Sequence, residues 1–292
     1  MKKFKIFEGV GTALVTPFRD NAIDYGALSQ LIDMQVEAGV EALIVGGTTG
    51  EAATLTPLER ETLFHRAREL TAGRVKLVLG TGTNDTAEAL LRTRMAERIG
   101  CDGVLVVTPY YNKGTEEGIF RHYLTIAEGS TLPVMLYNVP SRTGVNLGLN
   151  LLSRLSEHPN IVGLKEAGDS TDRLVALSAF GEALPLYAGN DSQIFPTLAL
   201  GGAGVISVVS NLLPERVKAI TDGYASGDRQ RSLREQHRLL PLIRALFSET
   251  NPAPVKLAMQ ELGLCSGEVR LPLYEPRSST ADAVRKALSE LE

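Results

Sequence analysis

Eight short apolar runs, each separated from the next by a stretch of helical periodicity, constrain this chain more than any other feature. They fall at 12–16, 42–45, 76–79, 103–107, 134–137, 161–165, 186–188 and 204–208. Near-continuous hydrophobicity with β-branched residues suits strands buried on both faces of a parallel sheet, whereas half-exposed antiparallel strands alternate. Helical patterns with polar faces lie between them, as at 25–38, 57–71, 86–99 and 116–128. The second of these opens on Thr56 as N-cap, with Pro57 at the first helical position and Glu59 to complete a capping box. Eight such units within about 210 residues close a barrel, while open doubly wound sheets more often use five or six strands. The expected fold is therefore α/β, a (β/α)8 TIM barrel. After the eighth run only helical patterns follow, at 215–224, 232–247, 255–262 and 281–291. The expected organisation is a barrel over residues 1–225 and a C-terminal helical extension over 226–292, packed on it because no Pro/Gly/Ser-rich linker intervenes.

Charge and composition then remove whole classes of function. A net charge of −4 with both signs interspersed offers no basic stripe to track a phosphate backbone, which argues against nucleic acid. No 18 apolar residues run together, which argues against a membrane span. The basic residues at 1–5 lead into Glu8 and Gly9, not into the apolar core of a signal peptide. Cys101 and Cys265 are too few for a disulfide framework or a zinc site. His65, His122, His158 and His237 occur singly, without metal-ligand spacing. A cytoplasmic protein with neither metal nor cofactor is the expectation. No Gly-x-Ser-x-Gly elbow marks a serine hydrolase. Gly201-Gly202-Ala203-Gly204 precedes the eighth run, at the bottom of the barrel, so packing explains it better than phosphate binding. Gly80-Thr81-Gly82 stands on the correct side but lacks the third glycine of a dinucleotide fingerprint.

Active sites of such barrels sit at the C-terminal ends of the strands. Gly47-Thr48-Thr49-Gly50-Glu51 follows the second run, Thr108-Pro109-Tyr110-Tyr111-Asn112 the fourth, and Gly189-Asn190-Asp191 the seventh; Tyr137 ends the fifth and Lys165 the sixth. Lys165 is the one lysine that closes a buried strand on this side. Burial disfavours an ammonium and frees the amine as a nucleophile. An ion pair with a carboxylate such as Glu166 would explain the same position, and the two readings stay open. Tyr137 can carry a proton beside an amine or simply be core. Thr48 and Thr49 offer hydroxyls and N–H groups suited to a carboxylate, or a tight turn whose glycines supply positive φ.

Three segments, Gly47-Thr48-Thr49-Gly50-Glu51, Tyr137-Asn138-Val139-Pro140-Ser141-Arg142-Thr143-Gly144 and Gly163-Leu164-Lys165-Glu166-Ala167, stand in an order and spacing that closely resembles the dihydrodipicolinate synthase family. Thr108-Pro109-Tyr110-Tyr111-Asn112-Lys113 and Asn251-Pro252-Ala253-Pro254-Val255-Lys256 extend the resemblance over essentially the whole chain. It implies an imine between Lys165 and pyruvate, whose enamine attacks L-aspartate-4-semialdehyde in the diaminopimelate route to lysine. It implies a proton relay through Tyr137, Thr49 and Tyr111, with Tyr111 supplied by the adjacent subunit of a homotetramer built as a dimer of dimers. Thr48 and Thr49 match the pyruvate-carboxylate site, and Gly189 and Ile206 match main-chain positions lining the pocket.

Arg142 separates relatives within the superfamily. Sugar-acid lyases and dehydratases share the lysine and the strand-five tyrosine, but the Ser-Arg-Thr-Gly segment resembles the synthases, where the arginine meets the semialdehyde carboxylate through a bidentate fork. A pyruvate-dependent sugar-acid lyase is the nearest alternative, and a barrel that binds ligand without catalysis is the alternative of another class. For a possible effector site, Ala53, Asn84, Glu88 and Tyr110 match the lysine-sensitive members, whereas Ala52, Pro57 and Arg60 replace a serine and two histidines. Weak or absent inhibition by L-lysine is the expectation.

Overall fold

The computed structural model describes residues 3–291. Met1 and Lys2 of the expected barrel and Glu292 of the expected extension lie outside the described residues. Seven of the eight apolar runs coincide with strands, and the first overlaps one only in part: β1 (Gly9–Ala13), β2 (Ala42–Val45), β3 (Lys76–Gly80), β4 (Gly103–Val107), β5 (Val134–Asn138), β6 (Ile161–Glu166), β7 (Leu186–Ala188) and β8 (Gly204–Ser207). Each is parallel to its neighbours, and β8 pairs back onto β1, closing the (β/α)8 barrel. The closure needs a close approach at the bottom: a Cβ on Gly204 would stand 2.0 Å from the Gly9 carbonyl oxygen. That contact accounts for the last residue of the 201–204 glycine cluster without a phosphate.

The first strand departs from its expected position at 12–16. Leu14 N–H still reaches the Ile44 carbonyl, but the Val15 N–H is taken by the Asn211 side chain, and the Thr16 hydroxyl turns to the Gly50 carbonyl. The ladder therefore ends at Ala13, and the strand begins earlier, at Gly9. Its glycines hide it from a search for β-branched runs.

Helices connect the strands on the outside: α1 (Tyr25–Glu37), α2 (Pro57–Thr71), α3 (Thr86–Ile99), α4 (Glu116–Glu128), α5 (Pro140–Thr143), α6 (Leu149–Ser156), α7 (Thr171–Ser178) and α8 (Ile194–Ala199). The Thr56 side chain accepts from the Glu59 N–H while the Glu59 carboxylate accepts from Thr56 N–H, which satisfies two donors at the start of α2. Four more helices follow β8: α9 (Pro214–Ala225), α10 (Arg229–Leu246), α11 (Ala253–Glu261) and α12 (Ser278–Ser289). None of the described helices is long and apolar enough to cross a membrane.

Side-chain alternation along the strands yields two cores. One lies between sheet and helices and takes in residues such as Leu43, Val104, Leu136 and Leu164. The other fills the barrel interior, with Ile44, Val78, Leu105, Met135, Tyr137, Tyr187 and Ile206, and with Ile6 and Phe7 from the segment before β1.

Candidate active site

The loop after β2 is held from a distance. Glu51, at φ 51° in the left-handed region, sends one carboxylate oxygen to the Lys256 Nζ at 2.5 Å and the other to the Arg270 N–H at 3.0 Å. Lys256 and Glu51 have side chains 0% and 1% exposed, so the pair is wholly dry. Burial lowers the Lys256 pKa, against the pull of Glu51. The segment is a tight turn, closed by the Glu51 N–H on the Thr48 carbonyl at 3.0 Å, but its left-handed positions are Gly46 and Glu51, so positive φ is not what Gly47 and Gly50 supply. Nor does Gly80 serve a dinucleotide: a Cβ there would lie 2.2 Å from the Gly46 carbonyl oxygen, so the glycine permits β2 and β3 to approach at their upper ends.

Above the barrel lies a cavity of about 450 Å³, whose wall includes Thr48, Tyr137, Arg142 and Asn251 and also Ala53, Arg60, Arg92 and Tyr110. Arg60 has Arg92, Glu88 and Tyr110 as its electrostatic neighbours, not Arg142, which marks an arginine end. Lys165 is not on the wall itself. Its side chain is buried, and its Nζ lies over the Tyr137 ring, 4.3 Å from the centroid. Tyr137 of β5 and Lys165 of β6 are register partners, which brings the two together. Glu166, the next residue, points to the opposite face. It accepts from Asn138 Nδ2 at 2.9 Å and from Arg173 Nε at 3.0 Å. The Lys165 amine makes no salt bridge or hydrogen bond among the described residues. Of the two readings left open by position, the Glu166 ion pair is therefore the one that fails.

Thr49 is buried, and its Oγ1 accepts from Asn251 Nδ2 at 2.9 Å, which leaves the Thr49 proton free to donate. The Asn251 carbonyl in turn accepts from Arg142 Nη2 at 3.0 Å. One residue of the C-terminal segment thus orients both the threonine and the arginine. The sequence marked Asn251 only as part of a longer resemblance. Its partner Thr49 is 202 positions away, beyond any local signal.

Gly189 and Ile206 are buried at the upper ends of β7 and β8, with the Gly189 N–H given to the Glu166 carbonyl at 2.7 Å. Asp191, just beyond Gly189, is wholly enclosed. Burial pushes its carboxyl up, against hydrogen bonds from the Ser207 hydroxyl and Val208 N–H and against the charge of Lys165. An acid this close to the amine carried no recognisable spacing in the sequence. Tyr111 is the outlier: it is 88% exposed, at φ 70°, and does not join Tyr137 and Thr49 within one chain. Asn112 pins its loop by donating to the Asn84 carbonyl at 2.9 Å. Asn84 and Glu88 do not line the cavity, and Glu88 is engaged by Arg92 Nε at 2.7 Å.

The family model of the dihydrodipicolinate synthetase family matches residues 6–291. The chain belongs to the dihydrodipicolinate synthetase family. A relative from Exiguobacterium sibiricum named 4-hydroxy-tetrahydrodipicolinate synthase is 46% identical over 270 residues, covering 92% of each chain. The crystal structure of dihydrodipicolinate synthase from Thermotoga maritima superposes with a TM-score of 0.96 at 43% identity, over 98% of this chain and 99% of that one. That of the Acinetobacter baumannii enzyme complexed with pyruvate superposes with a TM-score of 0.95 at 37% identity, over 97% and 98%. The sequence expectation of this family and of its barrel is thereby met.

Proposed function

We propose that this chain is a lyase-type enzyme that condenses pyruvate with L-aspartate-4-semialdehyde to give 4-hydroxy-tetrahydrodipicolinate, with Lys165 as the Schiff-base amine. The observation that carries the reading is Lys165 itself: a buried lysine at the upper end of β6, over Tyr137, whose neighbouring carboxylate is already committed to Arg173 and Asn138. An amine without an ion pair is available to add to a ketone.

The steps follow from that amine. Lys165 Nζ adds to C2 of pyruvate, a proton reaches the departing hydroxyl, and water leaves as the imine forms. Loss of a methyl proton from C3 gives the enamine, whose C3 bonds to the aldehyde carbon of the second substrate. That substrate's own amine then displaces Lys165 as the ring closes. Tyr137 and Thr49 hold and pass protons on the near side. Thr48 and Thr49 receive the pyruvate carboxylate, beside Gly189 and Ile206. Arg142, on the cavity wall, meets the carboxylate of the aldehyde substrate. Tyr111 completes the relay from a second subunit, in a homotetramer, and its exposure in the single chain supports that role. The enzyme works in the cytoplasm and uses no metal or other cofactor. The barrel of residues 1–225 bears these groups, and the extension of 226–292 closes over them through Asn251 and Lys256.

Borohydride reduction with pyruvate, followed by peptide mass spectrometry, tests the reading. Label is expected on Lys165 and lost, together with turnover, in Lys165→Ala. Label on a different lysine would overturn it, and turnover of a 2-keto-3-deoxy sugar acid in place of aspartate semialdehyde would support the lyase relative instead.

A further inference from the structure

The far end of the cavity carries charge that the proposed reaction does not use. Arg60, from α2, is 4% exposed; its Nη2 donates to the Ala52 carbonyl at 2.7 Å, while Nη1 is buried and has no partner among the described residues. A buried guanidinium nitrogen without an acceptor costs more than a neutral donor left in the same state. Arg92, from α3, stands on the same wall, and only its Nε is committed, to Glu88. Two cations and one paired carboxylate leave this end electropositive. Burial first, then the neighbouring Arg92, lowers the Arg60 pKa to about 10, which still leaves it charged at neutral pH. The rest of this wall is mostly carbon, from Ala53, Leu55 and Leu273, with the Tyr110 ring beside it.

We propose that this arginine end of the cavity is a binding site for a small organic dicarboxylate. One carboxylate meets the free edge of Arg60 and the other the free edge of Arg92, since planar forks match carboxylates in two parallel hydrogen bonds. The apolar wall takes the hydrocarbon body, which a compact inorganic anion lacks. L-lysine suits the site poorly: its ammonium would face two guanidiniums, and the Glu88 carboxylate is already held by Arg92. The proposal is independent of the reading of Lys165, because binding is measured without turnover.

Isothermal titration of succinate into the intact protein, in low-salt buffer at pH 7, tests it. Saturable binding of one succinate per chain is expected. Arg60→Gln and Arg92→Gln should each weaken it by roughly tenfold or more, a charge-assisted bond being lost. Arg142→Ala, at the other end, should retain it, and L-lysine and inorganic phosphate should bind more weakly than succinate. Should Arg60→Gln fail to fold, Arg92→Gln decides, since that side chain is 21% exposed. Absence of binding at millimolar succinate, unchanged affinity in Arg92→Gln, or loss in Arg142→Ala with retention in Arg92→Gln would each overturn the site. Tighter binding of phosphate or lysine would overturn the choice of ligand.

Discussion

Successive residues of a strand face opposite ways, and at 165–166 that alternation separates the proposed Schiff-base amine from the carboxylate beside it in sequence. Lys165 was legible because no other lysine closes a buried run on the catalytic side; the fate of Glu166 was not, because Arg173 and Asn138 come to it from other elements. Arg142 is held at the cavity wall by its bond to the Asn251 carbonyl, and the proposed function gives it the aldehyde substrate's carboxylate. Arg142→Ala should raise the KM for the aldehyde about ten- to a hundredfold, the loss of a charge-assisted pair of about 1.5–3 kcal/mol. The KM for pyruvate should move far less, and equal damage to both in steady-state kinetics would make the arginine structural. A second residue should make stability depend on pH. Burial pushes the His122 imidazole from 6.5 down to about 4, with Nδ1 bonded to the Thr86 hydroxyl and Nε2 unpartnered among the described residues. Between those values the unfolded chain binds a proton that the folded chain refuses, so this contribution is whole above about pH 6.5 and is lost as pH falls towards 4. The loss is on the order of 3 kcal/mol. Thermal melts of wild type and His122→Asn from pH 7 to 4 should converge as pH drops, and parallel curves would remove His122 as the cause.

Among the elements, the loop after β2 shows why a motif can be recognisable while its purpose is not. Glu51 belongs to the Thr-Thr-Gly-Glu run, yet its carboxylate ties that loop to Lys256 of α11 and to Arg270, 205 and 219 residues further on. Breaking a dry pair by removing one partner strands the other charge, so Glu51→Ala should cost about 3–5 kcal/mol by chemical denaturation. Glu51→Gln combined with Lys256→Met should be less harmful, because no charge is then left buried and the amide can still accept from Arg270 N–H. A double variant as unstable as Glu51→Ala would show that shape, not charge, decides the site. Local periodicity found α2, α3 and α4 at their observed bounds, since capping and amphipathicity are local properties. It misplaced β1, where Gly9 and Gly11 belong to the strand, while beyond Ala13 the Val15 N–H goes to the Asn211 side chain and the Thr16 hydroxyl to the Gly50 carbonyl.

For the whole molecule, closure of the barrel could be read from a count of units, because eight is the number the geometry demands. The proposed assembly rests on one feature of the single chain: Tyr111 is 88% exposed in a left-handed backbone conformation, on a loop fastened by Asn112. An aromatic side chain held in that region costs energy that a purely solvated loop would not retain. If Tyr111 serves the neighbouring subunit, the defects of Tyr111→Phe and Lys165→Ala reside in different sites and can complement. In a hybrid dimer the Tyr111→Phe subunit keeps its own Lys165 and borrows Tyr111 from the Lys165→Ala subunit, so one site of the two is whole. Random reassociation of equal amounts gives hybrids in half of the dimers, and activity should return to about a quarter of wild type from two nearly inactive parents. If Tyr111 acts within its own chain, each hybrid site carries one defect or the other, and mixing restores nothing. Denaturing and refolding the two variants together, with the same variants refolded apart as the control, distinguishes these outcomes in a single activity measurement.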